Sequence, residues 1–265
     1  MKEHDWDHVA SNYHETLLGP FLPEMVDIDP STGKCRNLLL NAIRSAGQDL
    51  KTKRVADYGC GPGNILEFVE GIIPAISGVD ISANALAIAQ VKAQKHGVQF
   101  HAVESDLRNY RPEEKFDLIF SVNAILPSDR KDVVSILESI SEGLSPHGQL
   151  WAIMPSYDTT EHLIQCIQKD LEDQVGSEKA SAEAEHFRLS KKSDPVTCSY
   201  ADDGVHVQCY HTPETMMREF EEADLTILKP LEKVYYPWEL TRRYDYGFHP
   251  NHEEIWDWFV IAGKK

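Results

Sequence analysis

The sequence predicts an α/β fold: a doubly wound, mostly parallel, seven-stranded sheet with an antiparallel C-terminal edge and a lid or insertion. Three observations carry this. Between residues 55 and 155, short apolar runs alternate five times with amphipathic stretches, the pattern of a parallel sheet covered on both faces. Gly59, Gly61 and Gly63 fall within five positions directly after the first run, in the loop that walls the ligand crevice of such sheets. After residue 212 a helix signal and two further apolar runs supply the antiparallel edge.

In chain order, "RVADYG" reads as a buried strand and "NILEFVEGII" as the helix after the glycines. "AISGVDI" is a second strand closed by an acid. "SANALAIAQVKAQKHG" is a helix capped by Ser82, with Leu86, Ala89, Val91 and Ala93 as apolar positions and Gly97 as its stop. "VQFHAV" and "FDLIFSV" are the third and fourth strands. "SDRKDVVSILESISEGL" starts at Ser128 or Asp129 and places Val133, Ile136, Leu137 and Ile140 on one helical face. "SPHG" reads as a turn and "QLWAIMP" as the fifth strand. Thr212 caps a last helix with Pro213 at its first position, and "LTILKPLEKVYY" and "IWDWFVIAGKK" follow as strands.

Two stretches fall outside the alternation and divide the chain into four regions. Residues 1–50 form an N-terminal helical lid with an amphipathic helix at "CRNLLLNAIRSAG". Residues 51–155 are the binding core, 156–211 an insertion that caps it, and 212–265 a helix and strands that complete the core. The insertion opens with a helix, "TTEHLIQCIQKDLEDQV". It continues through "GSEKASAEAE", which reads as mobile because it is poor in apolar residues, to a hairpin signal, "VTCSYADDGVHVQCY". Six acids against the single Lys179 between residues 170 and 185 mark a solvated face.

Composition narrows the function. The net charge of −17 argues against a nucleic-acid substrate, whose phosphates call for a basic surface. "LTRRYDYGFHP" is the one candidate basic patch. No apolar run approaches the roughly 20 residues that span a bilayer, and the first residues lack a signal-peptide pattern, so a cytoplasmic protein is expected. Five scattered cysteines fit neither a zinc pattern nor a full disulfide set, and no metal site is expected.

The glycine turn distinguishes among ligands. G-x-G-x-G followed by Asn64 is tighter than the dinucleotide fingerprint G-x-G-x-x-G, and no G-K-[ST] follows for a nucleoside triphosphate. Asp80 ends the second strand 17 positions after Gly63, where a carboxylate suits the two hydroxyls of a ribose. Asp106 follows the third strand, where it can accept from an adenine amino group, with Leu107 beside the base. Asp57 places negative charge near any ammonium group in the crevice. Together these describe an adenosyl amino acid.

The ordered series "VADYGCGPGN", "GVDIS", "ESDL", "FDLIFSVNAIL" and "LSPHGQLWAIMPS", with "YHTPETMMREFEEADL" later, resembles the class I S-adenosylmethionine-dependent methyltransferases, a Rossmann-like family. The resemblance implies S-adenosyl-L-methionine as cofactor. It implies that Gly59, Gly61 and Gly63 pass under its methionine and ribose, with Asp57 near the amino group. Asp80, with Ile81 beside it, would hold the ribose, Asp106 and Leu107 the adenine, and Ser121 to Asn123 the region of the sulfonium. Tyr13 resembles an aromatic of the family's N-terminal lid.

No residue identifies itself as a base. His14, His206, His211, Tyr157 and Tyr210 border the expected acceptor pocket, and Arg242 and Arg243 are candidates for holding an acidic substrate. "SVNAIL" is not the Asp/Asn-Pro-Pro-Tyr motif of enzymes acting on exocyclic base amines. The resulting expectation is methyl transfer to a small-molecule acceptor. The alternatives are a non-catalytic module that binds the cofactor to regulate a partner, and a nicotinamide oxidoreductase, which the glycine spacing and Asp106 disfavour.

Overall fold

The computed structural model describes residues 20–201, 203–237 and 254–265. Helices α1 (Pro23–Val26) and α2 (Leu38–Ala46) precede the first strand; the side chain of Asn37 caps α2 by accepting from the Leu40 N–H. The sheet strands are β1 (Val55–Tyr58), β2 (Ala75–Asp80), β3 (Gln99–Glu104), β4 (Phe116–Val122), β5 (Leu144–Pro155), β8 (Leu225–Ile227), β9 (Glu232–Tyr236) and β10 (Ile255–Lys264). They run in the order β3-β2-β1-β4-β5-β10-β8, with β9 also on β10; the first five are parallel, and β10 is antiparallel to β5, β8 and β9. The seventh position of the sheet is therefore shared by two short strands. Pro230 lies between them, and its missing N–H breaks what the sequence suggests is one strand.

Alternation along the strands sends side chains to two cores. Leu118 and Phe120 of β4 and Trp151 and Ile153 of β5 face α2, α3 (Ala83–Lys95) and α5 (Tyr157–Val175). Ile119, Leu150, Ala152 and Met154 face α4 (Arg130–Gly143) and α7 (Pro213–Glu222). Val133, Ile136, Leu137 and Ile140 of α4 are all buried, each contributing about 1.5–3 kcal/mol relative to exposure. Ser82 caps α3, Asp129 caps α4, and Thr212 caps α7 through a reciprocal pair with Thr215.

Five local expectations change. "NILEFVEGII" is not an α-helix but turns around a short 3₁₀ segment, Leu66–Phe68. Its window carries four β-branched residues and ends at Gly71 (φ 69°) and Pro74, and Asn64 accepts from Lys92 Nζ at 2.8 Å. Val91 is 67% exposed, because it lies on the opposite side of α3 from Leu86, Ala89 and Ala93. "SPHG" is an irregularity within β5, where pairing jumps from Phe116↔Leu144 to Leu118↔Gln149. "GSEKASAEAE" begins a helix, α6 (Ser177–Ser190): its alanines and glutamates favour helix, and Ala180 and Ala184, one turn apart, are buried. The hairpin forms as a two-residue pair, β6 (Ser199–Tyr200) with β7 (Gln208–Cys209).

Candidate active site

The glycine turn is tied to the end of β2. The N–H groups of Gly59 and Cys60 both donate to Val79 O, at 2.7 and 3.2 Å. All three glycines have left-handed backbone, φ 74°, 48° and 71°. At two of them the chain also leaves no room for a side chain. A Cβ on Gly59 would lie 2.2 Å from Ala124 Cβ, and one on Gly63 would lie 2.5 Å from Leu66 Cδ1. Gly61 differs: nothing stands within 4 Å of its Cβ position, so its bare backbone faces the crevice.

Asp80 fixes this backbone in place. One carboxylate oxygen accepts from Gly61 N–H at 2.8 Å and the other from Ser82 N–H at 2.9 Å. A carboxylate offers about four acceptor positions, so holding the turn is compatible with bonding a pair of hydroxyls. Below the turn, Asp57 is buried in β1. Burial first, and the nearby Asp80 charge second, push its carboxyl up to about 7. Burial also raises the Cys60 thiol well above its ordinary value, which favours the neutral thiol.

A crevice of about 200 Å³ opens beyond the carboxyl ends of the parallel strands. Gly59, Gly61, Asp80, Ile81, Asp106, Leu107 and Asn123 all line it. Asp57 and Gly63 support the turn from outside that lining, Ser121 is buried with its hydroxyl on Tyr58 O, and Tyr13 lies outside the described residues. Asn123 follows β4 with a left-handed φ of 50°; its Nδ2 donates to Asp257 at 3.4 Å, and its buried Oδ1 has no partner among the described residues.

Arg108 is a site residue that sequence reasoning missed. Its guanidinium binds both oxygens of Asp106 and reaches Asp132 at 2.7 Å. These hydrogen bonds hold the Asp106 carboxyl below its usual range. Arg108 sits two positions after Asp106, a spacing that the sequence displays but that does not itself reveal the pairing. Val207 and Gln208 enter the crevice wall from the insertion.

The side chains expected at the acceptor pocket are otherwise engaged. His206 pairs with exposed Asp203, buried His211 contacts Ile125 O through Nε2 at 2.9 Å, and Tyr157 bonds Glu161 and Ser193. Tyr210 packs on Tyr200. None of these lines the crevice, while His14, Arg242 and Arg243 lie outside the described residues. Arg130 anchors the insertion to the core, binding Glu219 at 3.0 Å and the carbonyls of Thr197, Cys198 and Tyr210. Among the described residues, no helix is long and apolar enough to cross a membrane.

Residues 55–148 match a family model described as a methyltransferase domain. The chain is 38% identical over 105 residues to trans-aconitate 2-methyltransferase of Escherichia coli O139:H28 (strain E24377A / ETEC), covering 39% of this chain and 39% of that enzyme. It is 26% identical over 191 residues to malonyl-[acyl-carrier protein] O-methyltransferase of Bacillus cereus, covering 71% and 69%. Magnesium protoporphyrin IX methyltransferase from Synechocystis PCC 6803, solved with bound SAM, shares the fold with a TM-score of 0.53 at 12% identity, covering 87% of this chain and 78% of that one. The matched domain lies on the sheet and turn described above. Residues 55–148 thus match a methyltransferase domain, and the chain aligns with only 39% of the length of the trans-aconitate 2-methyltransferases.

Proposed function

We propose that this protein binds S-adenosyl-L-methionine in the crevice and transfers its methyl group to a small-molecule acceptor. The observation that supports this most is the Gly61 backbone, bare toward the crevice and pinned by Asp80. An adenosyl ligand fits it: Asp80 holds the ribose hydroxyls, while Ile81 and Leu107 supply apolar contact and Asp106 an acceptor at the base. Asp57, buried in β1 beneath the turn, favours a cationic ligand. Bound here, the cofactor supplies a methyl group already activated on a sulfonium. The protein's part is to orient the reactants and exclude water, with Asn123 and Ala124 closing the crevice at the end of β4.

A small-molecule acceptor is supported by the charge of −17, which disfavours polyanionic nucleic acid, and by the printed name of one relative, which gives trans-aconitate; the other relative's name gives a malonyl group carried on a protein. Incubation with methyl-labelled S-adenosylmethionine and a panel of small acids, alcohols and amines tests it. Label is expected in the small-molecule fraction. Label confined to macromolecules would overturn the acceptor class, and cofactor binding without transfer to any acceptor would favour a regulatory module.

A further inference from the structure

At the Asp106 end of the crevice, hydrogen bonds tie three pieces of chain together. Arg108 bridges Asp106, just after β3, to Asp132 in the first turn of α4. The hairpin is fixed to the loop that leads into the same turn. The Cys209 N–H donates to Pro127 O at 2.8 Å, and Arg130 holds the carbonyls of Thr197, Cys198 and Tyr210. Gln208, the neighbour of Cys209, thereby joins Pro127 and Ser128 in the crevice wall. It is half-buried, and its side-chain amide makes no hydrogen bond among the described residues.

An adenine held here needs more partners than Asp106 provides. Three N–H groups of Arg108, on its backbone N, Nε and Nη2, already donate to the Asp106 carboxylate. Of about four acceptor positions, one remains for an amino hydrogen of the base. The second amino hydrogen and the adjacent acceptor, N7, lie along the other edge. A side-chain amide matches that edge with two hydrogen bonds, its oxygen accepting from the amino group and its nitrogen donating to N7. Either group left buried without a partner opposes binding.

We propose that Gln208 reads the amino–N7 edge of the cofactor's base, so that the insertion takes part in cofactor selection. This rests on the reading of the crevice as an S-adenosylmethionine site with its base at Asp106. Asp106 takes one amino hydrogen, Gln208 Oε1 takes the other, and Gln208 Nε2 donates to N7. A 6-oxo base would set an oxygen where both side chains require a donor.

Calorimetric titration of S-adenosylhomocysteine and of its 7-deaza analogue, in which a C–H replaces N7, tests the contact. The wild type is expected to bind S-adenosylhomocysteine about fivefold or more tighter than the analogue. Gln208→Ala should weaken S-adenosylhomocysteine about tenfold and bind the two ligands within about twofold of each other. Gln208→Glu keeps an acceptor for the amino group but sets an oxygen against N7, so it should prefer the analogue. Should Gln208→Ala fail to fold, Gln208→Glu decides. Asp106→Asn should weaken both ligands alike and leave their ratio unchanged. Equal binding of the two ligands by the wild type would overturn the assignment, as would a preference for S-adenosylhomocysteine that survives in either Gln208 variant. A wild type that binds neither ligand, or affinities unmoved in Asp106→Asn, would overturn the cofactor reading itself, and this assignment with it.

Discussion

On the glycine-turn side of the crevice, Gly59, Gly61, Asp80, Asp106 and Leu107 come from the ends of three strands that follow one another in the chain. The opposite wall is assembled differently: Val207 and Gln208 arrive from a small hairpin, and Asn123 is backed from outside the lining by Asp257, 134 residues away in the chain. The glycine-turn side is held by backbone geometry and by the Gly61 and Ser82 N–H groups donating to Asp80. The opposite side depends on a few long-range polar contacts, chiefly those of Arg130 and Asp257. A fold can thus keep one half of a site constant through its strand ends and vary the other through insertions.

Arg130 offers the sharpest way to break this contrast. Arg130→Met leaves Glu219, 2% exposed at its side chain, without its main cation. The expected loss is about 3–5 kcal/mol, read by denaturation. Hydrogen exchange should rise first at residues 197–211, while S-adenosylhomocysteine affinity changes less than stability does. Equal loosening of β1 and β2 would show that the two halves are not separable.

Asp57 tests the glycine-turn side by pH. Its folded-state carboxyl is raised from 3.8 to about 7, so the folded state holds a proton that the unfolded state has released. Its contribution to stability is present below about 4 and is lost as pH rises through about 7, on the order of a few kcal/mol in all. Asp57→Asn should flatten that part of the stability–pH curve; an unchanged slope would remove Asp57 as its source. Because a cationic ligand favours the ionised carboxylate, binding near pH 7 should release protons, detectable by calorimetry in buffers of different ionisation enthalpy.

Gly59→Ala should cost about 2 kcal/mol or more, through left-handed strain and the clash with Ala124, and should weaken ligand binding. At the small end, Val91→Gln on the exposed side of α3 should change stability by no more than about 0.5 kcal/mol. A larger loss there would mean that this face of α3 is covered in solution.

The same contrast explains what could be read from sequence. The strands and helices of residues 55–155 follow from apolar periodicity, and the glycine turn with Asp80 follows from spacing, because their determinants are local. "NILEFVEGII" misled because apolar richness was read as helix, although Gly71, Pro74 and four β-branched residues favour turns. "GSEKASAEAE" misled in the opposite direction: low apolar content hid good helix formers and two buried alanines. Asp106 was legible as a strand-end acid, but its engagement by Arg108 is a side-chain geometry that spacing does not specify. Asp257 stands out in "IWDWFVIA" as a lone acid in an apolar strand, yet its partners Asn123 and Tyr236 emerge only when β4, β9 and β10 meet.

The central claim is that a glycine turn pinned by Asp80 binds an adenosyl amino acid. Calorimetric titration of S-adenosylhomocysteine and of NAD into the wild type and Asp80→Ala tests it most directly. Saturable binding of S-adenosylhomocysteine but not NAD by the wild type is expected, weakened about tenfold or more in Asp80→Ala. Equal affinity in the variant, or a preference for NAD, would contradict it.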